Sequence, residues 1–229
     1  MLFGKLGYSQ PATGEIALHF SHIANGKPII FRDSSYRNPF DENYRLTRLK
    51  YYISNIYLGN SQKSTSGKNV FLVDAGEADA ILMNIPEGKY NSLVFTLGVD
   101  SILNCSGAQT GDLDPLQGMF WTWNSGYIFF KLEGSSPSST ADLNRIEHHI
   151  GGYHGQFKTQ RNFVVQLEKP LVIERDRHYK INLQLDLDKY WRSVHEIKIA
   201  GNPVIMVPGA LAKLAADNFE KMFSILSVQ

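Results

Sequence analysis

Apolar and polar residues alternate along several stretches of the chain, the pattern of β-strands that have one buried face. The clearest runs are residues 90–100, 161–167 and 179–187, where apolar side chains occupy every second position. Residues 16–22 alternate in part and precede the turn dipeptide at 25–26, which predicts an opening hairpin. The pattern therefore predicts a mainly β protein built from antiparallel sheets.

The C-terminal stretch follows a different period. Between residues 210 and 226 the apolar side chains recur mostly every three or four positions, directly after Pro208-Gly209. This spacing predicts an amphipathic helix, and its polar face has no basic excess, so we expect it to cover an edge of the sheets rather than a membrane. Since no repeat or linker divides residues 1–229, we predict one domain, an immunoglobulin-like antiparallel β-sandwich with one C-terminal α-helix.

The most distinctive run is residues 118–134, which contains Trp121-Thr122-Trp123. Side chains alternate between the two faces of a strand, so both indoles are expected on one face. Downstream, His149 precedes Gly151-Gly152, and glycines allow another part of the chain to approach the backbone closely. Paired tryptophans are also common packing residues in sandwiches, so their position permits either packing or chemistry.

Composition excludes several functions. The 23 basic and 22 acidic residues leave a net charge of +1 without a basic stripe, which argues against nucleic acid as a partner. Cys105 is the only cysteine, so a metal site would need histidines rather than a cysteine cage. Neither a membrane span nor an apolar signal core is present in the sequence, and the usual nucleophile, phosphate-loop and HExxH motifs are missing, so we expect a soluble protein that is not an enzyme.

Several motifs together resemble the MbnP-like copper-binding domain family. They are Tyr51–Ile56, Leu97–Ser101, Ser106–Gly111, Leu113–Pro115, Met119–Gly134 and His149–Tyr153. The resemblance runs along nearly the whole chain and implies an exported bacterial β-sandwich protein that handles copper in the periplasm or at the outer surface. The signal or lipid-anchor segment is then expected to be absent from this sequence. In some members a tryptophan is oxidised to kynurenine by a MauG-like dihaem partner, and it binds copper together with histidines.

Copper(I) accepts imidazole and needs few ligands, so histidines with one unusual extra donor are chemically suitable. The resemblance ranks His149 first, and it makes Trp121 or Trp123 the residue that would be oxidised. This chain has Trp123 where some methanotroph proteins have a histidine. His22 is the second candidate ligand, because alternation points it toward the sandwich interior from its rim. Each histidine can equally be a hydrogen-bonded structural residue.

Two alternatives use other residues. The loop at 100–118 carries Asp100, Asp112 and Asp114, whose carboxylates are suitable ligands for calcium, although the spacing is not that of an EF-hand and turn formation also accounts for it. The paired tryptophans and 11 tyrosines also suit a surface module that binds glycans or a protein partner without metal. A purely structural role for the aromatic strand is the third possibility.

Overall fold

The computed structural model describes residues 12–59, 70–77, 80–122 and 125–229. Strands dominate this part of the chain, which confirms the predicted mainly β class, and no helix in it is long and apolar enough to cross a membrane. In chain order the strands are β1 (Thr13–Ala24), β2 (Lys27–Pro28), β3 (Tyr36–Arg37), β4 (Asn43–Leu58), β5 (Val70–Asp74), β6 (Ala80–Pro86), β7 (Gly88–Leu97), β8 (Phe120–Thr122), β9 (Gly126–Tyr127), β10 (Phe130–Ser135), β11 (Arg145–Ile150), β12 (Arg161–Ile173), β13 (His178–Asp186), β14 (Val204–Ile205) and β15 (Phe223–Val228). The α-helices are α1 (Ser101–Cys105), α2 (Leu187–Trp191) and α3 (Ala210–Asp217), and short 3-10 turns span Gly111–Leu113, Pro115–Gln117, Asp142–Asn144, Gly155–Phe157 and Asn218–Lys221.

The smaller of the two main sheets has the strand order β15-β13-β1-β2, and β6 also pairs with β1. The predicted opening hairpin is present, because β1 and β2 pair antiparallel across Asn25 and Gly26, whose φ angles are 50° and 66°. Strands β1 and β13, however, run parallel over nine residue pairs, from Glu15 opposite His178 to Ile23 opposite Asp186. The sheets are therefore mixed, with antiparallel pairs in the majority.

The larger sheet has the order β12-β7-β4-β10-β11-β14, and β3 and β5 also pair with β4. Strand β10 lies between β4 and β11, so Lys131 stands opposite Lys50 on one side and His149 on the other. The same register sets Phe130 opposite Tyr51 and Ile150. Since neighbouring residues point to opposite faces, these two rows lie on opposite faces of the sheet.

The hydrophobic core fills the space between the sheets. Leu93, Phe95 and Leu97 of β7 are fully buried, as their alternation predicts, and the Phe95 ring packs on Phe163 and Phe223. Burying a side chain of this size contributes about 1.5–3 kcal/mol. The core therefore joins the larger sheet to β15, the last strand of the smaller one.

The C-terminal helix is shorter than the predicted 210–226. Helix α3 ends at Asp217, a 3-10 turn follows, and residues 223–228 form β15 instead of helix. Phe223 is buried and Ile225 half-buried, with exposed residues at alternate positions, and the strand pairs antiparallel with β13. The apolar side chains of residues 223–228 also fit the period of two of a strand. This segment therefore forms hydrogen bonds with the edge of β13 and becomes a strand instead of continuing the helix.

Candidate metal site

A long connection between β7 and β10 crosses the outer face of the larger sheet. Tyr52, which faces away from the core, donates its hydroxyl to the Asp112 carbonyl at 2.9 Å, and its ring meets Tyr127 edge-on at 5.9 Å. The Tyr127 hydroxyl donates to the Leu113 carbonyl at 2.8 Å. These contacts hold residues 100–122 and 125–128 against the sheet and build a second apolar layer there.

Trp121 lies in a hairpin within this layer. Strand β8 pairs antiparallel with β9, so the chain reverses between residues 122 and 126 rather than continuing as one long strand. Trp123 lies outside the described residues, and the prediction that both indoles share a face stays a prediction.

The Trp121 ring rests against the backbone of Gly151. A Cβ atom at that position would lie 2.7 Å from Cζ3 of Trp121 and 2.6 Å from the carbonyl oxygen of Tyr127, so any larger residue would displace one of them. The indole nitrogen Nε1 is buried and has no hydrogen-bond partner in the described part of the chain. A buried unpaired donor is rare in native proteins, and such a group commonly marks a functional position or a bound water or ion.

His149 stands on the outer face of β11, two residues before Gly151. Its Nε2 is 2.9 Å from Oε1 of Glu133, and the histidine is 7% exposed. The hydrogen bond from His149, with Lys131 and Arg48 nearby, lowers the pKa of Glu133 from 4.5 to about 2. Glu133 is therefore a carboxylate that accepts the Nε2 proton, and Nδ1 of His149 makes no hydrogen bond to the residues that the structure describes.

His22 lies on the other side of the larger sheet. It faces the sandwich interior, as alternation predicts, and its Nε2 is 2.9 Å from the Tyr51 hydroxyl. Burial lowers its pKa from 6.5 to about 4. Because Tyr51 shares the row of Phe130 and His149 shares the row of Lys131, the sheet separates the two histidines. The structure thus places Trp121 against Gly151, two residues from His149, but does not bring His22 to them.

His148 belongs to the interior as well. Its Nδ1 lies 2.7 Å from the Tyr190 hydroxyl, and its Nε2 lies 2.7 Å from the Asn202 carbonyl. A carbonyl only accepts, so Nε2 carries the proton and Nδ1 accepts from the tyrosine. Both ring nitrogens are occupied, which leaves none for a metal ion.

The three aspartates considered for calcium each accept a hydrogen bond from a backbone N–H. Asp100 caps α1 at Leu103 N, Asp114 accepts from Leu116 N, and Asp112 accepts from Leu72 N of β5 at 2.8 Å. Across residues 12–59, 70–77, 80–122 and 125–229, no three His, Cys, Asp or Glu side chains form a group that could hold a metal ion. Asp100 and Asp114 act as caps and Asp112 joins its loop to β5, and calcium has no support.

Sequence reasoning missed Glu133 and Lys131, which contact the candidate site. Apolar and charged residues alternate within 130–133, so the sequence could have predicted that Lys131 and Glu133 lie on the outer face of the strand. Their position beside His149 depends on the pairing register of β10 and β11, which alternation does not determine.

Comparison with known proteins agrees with this architecture. The MbnP family model matches residues 13–207. Among solved structures, MbnP from Methylosinus trichosporium superposes with a TM-score of 0.60 at 18% identity, covering 93% of this chain and 98% of that one. No curated protein matches the sequence. At this identity the structural likeness shows the fold.

Proposed function

Because this chain belongs to the MbnP family, we propose that it binds copper outside the cytoplasm, through His149 and an oxidised Trp121. The role is binding rather than catalysis. Membership of the family supports a metal-related role, and the resemblance of the sequence to copper-binding members supports the choice of metal.

One observation carries the proposal beyond the family: the Trp121 ring rests on Gly151, two residues from His149, and its buried Nε1 has no hydrogen-bond partner among the described residues. An unmade hydrogen bond at a buried donor costs about 1–3 kcal/mol. The buried Nε1 of Trp191, within the core, likewise has no hydrogen-bond partner among the described residues, so Trp121 is distinguished by its contact with Gly151. A tryptophan whose nitrogen is to become a ligand must keep it clear of protein acceptors.

The residues present fit a copper ligand set in their chemistry. An intact indole nitrogen only donates hydrogen bonds, so Trp121 needs conversion before it can bind a metal ion. Oxidative opening of the indole to kynurenine supplies an aromatic amine and a ketone, with a haem enzyme of the MauG-like class as the proposed oxidising partner. His149 supplies an imidazole nitrogen, a ligand that copper accepts readily. His22 and the three aspartates are not part of this proposal.

The experiment measures copper content and intact mass of the protein purified from its native host. We expect bound copper, together with a mass gain equal to two oxygen atoms less one carbon monoxide, located by peptide mapping at Trp121. Trp121→Phe and His149→Gln should each abolish copper retention after exchange into chelator-free buffer. His178→Gln is the matched control, since His178 is an exposed histidine on the small sheet whose Nδ1 lies 3.1 Å from Glu15.

Two results would contradict the proposal. One is native protein that takes up no copper whether or not Trp121 is oxidised. The other is copper retention that survives both Trp121→Phe and His149→Gln. Glycan binding has no observation in its favour here, because the Trp121 ring rests on Gly151 and is half-buried instead of forming an open platform.

A further inference from the structure

The outer face of β10 and β11 carries a compact polar network. His149 Nε2 lies 2.9 Å from Oε1 of Glu133, and Lys131 Nζ lies 3.4 Å from the same oxygen. Lys131 also donates to the Gly118 carbonyl at 2.6 Å. Arg48 holds the other oxygen of Glu133 at 3.1 Å. The carboxylate is thus bound on both sides, and it has little freedom to turn away from His149.

Three of the four side chains in the network are shielded from water, whereas Arg48 is 48% exposed. The side chains of Lys131 and His149 are each 9% exposed, and that of Glu133 is 22% exposed. Burying charged groups this deeply is unfavourable unless their partners are well placed. Ion pairs on the surface of a sheet are usually exposed and contribute little to stability. A role in keeping the surface soluble therefore does not explain why these charged side chains are buried.

We infer that Glu133 is the positioning residue of the proposed copper site. Because an ionised carboxylate can only accept, it holds the proton of His149 on Nε2 and leaves the lone pair on Nδ1 as the ligand atom. Histidines that bind metals commonly donate their other N–H to a carboxylate in this way, which fixes ring orientation and tautomer. The inference rests on the proposed function.

Lys131 also connects this network to the segment that precedes Trp121. By joining Glu133 to the Gly118 carbonyl, it ties the histidine to the segment that leads directly into β8 and Trp121. Gly118 has a φ of 71°, so the chain turns at the point where the lysine holds it. One buried network thus places both the imidazole and the tryptophan hairpin.

The first test reads the tautomer of His149 in metal-free protein labelled with nitrogen-15 histidine, at a pH where free imidazole is neutral. The His149 signals are assigned by their loss in His149→Gln. We expect the Nε2–H tautomer in the wild type and in Glu147→Gln, and a shift toward Nδ1–H in Glu133→Leu. Glu147 is the matched control, because it stands opposite Glu133 on the neighbouring strand and pairs with Arg145 instead.

The second test measures copper(I) affinity by competition with a chelator. Loss of such a carboxylate partner weakens metal binding about 10–100-fold, so Glu133→Leu should fall in that range and Glu147→Gln should match the wild type. Glu133→Gln keeps a neutral acceptor and should fall between them, which preserves the test if Glu133→Leu does not fold.

The outcomes separate the two claims. An Nδ1–H tautomer in the wild type, or a tautomer and an affinity that Glu133→Leu and Glu133→Gln both leave unchanged, overturns the role of Glu133. Wild-type protein that binds no copper overturns the proposed function, while the tautomer measurement still supports or overturns the assignment of Glu133.

Discussion

Mild acid should destabilise this protein through two interior histidines. Burial lowers the pKa of both His22 and His148 from 6.5 to about 4. In the native state each stays neutral until the pH approaches 4, whereas in the unfolded chain each binds a proton as the pH falls through 6.5. The unfolded state therefore binds more protons in this window, and stability falls as the pH falls.

The size of the effect follows from the width of the window. Each pKa unit corresponds to about 1.4 kcal/mol, so lowering the pH from about 7 to about 5 removes about 2 kcal/mol per histidine and about 4 kcal/mol for the pair. Glu133, whose pKa is lowered to about 2, loses its contribution only below its ordinary value of 4.5. Stopping near pH 5 therefore isolates the histidines from the carboxylates.

Urea unfolding at several pH values measures this loss directly. His148→Gln should be less stable than the wild type near neutral pH, because Tyr190 and Asn202 lose their partner, but its pH dependence should be about half as steep. His178→Gln removes an exposed histidine and should keep the full slope. A wild-type stability that does not change between about pH 7 and pH 5, or an undiminished slope in His148→Gln, would refute the argument.

Two further substitutions test contacts around the tryptophan hairpin. Gly151→Ala should cost about 1–3 kcal/mol in urea unfolding, because its Cβ would lie 2.7 Å from the Trp121 ring, and it should shift the Trp121 fluorescence. Gly201→Ala, whose Cβ would lie 4.0 Å from its nearest described neighbour, should change neither. Asp112→Ala should cost about 1–3 kcal/mol, because it removes the acceptor of Leu72 N, and added calcium should leave the melting temperature of the wild type unchanged. Equal stabilities for the two Gly→Ala variants would contradict the first expectation, and a rise in melting temperature with calcium would contradict the second.

The fold could be predicted to the extent that it depends on local pattern. Alternation located β7 and β13 and also gave the correct direction of His22, since each of these depends only on the period of a strand. The parallel pairing of β1 with β13 could not be predicted, because it joins segments about 160 residues apart through a register that neither segment encodes alone. The predicted helix is wrong at residues 223–226, because their apolar positions fit both periods and the free edge of β13 decides between them.

The candidate site was harder to predict for a related reason. Gly151 was correctly noted as a place of close approach, but the residue that approaches it comes from a hairpin some 30 residues earlier in the chain. Glu133 and Lys131 carry no motif and become significant only through their position across from His149. The local pattern of apolar residues predicts which face of a strand a side chain occupies. It does not predict which residues from other strands lie beside that side chain, and a binding site depends on those.

The adjacent pair His148-His149 illustrates this difference. They are neighbours in the sequence, yet the strand turns them to opposite faces, and each has a different electrostatic environment. His148 is enclosed by Tyr190 and Asn202, which use both of its nitrogens, and burial lowers its pKa so that it stays neutral within the core. His149 meets a single carboxylate that uses one nitrogen, and the other nitrogen makes no hydrogen bond to the described residues. Of the two, only His149 retains a lone pair for a metal ion, so a ligand set built from both histidines would require the strand to unfold.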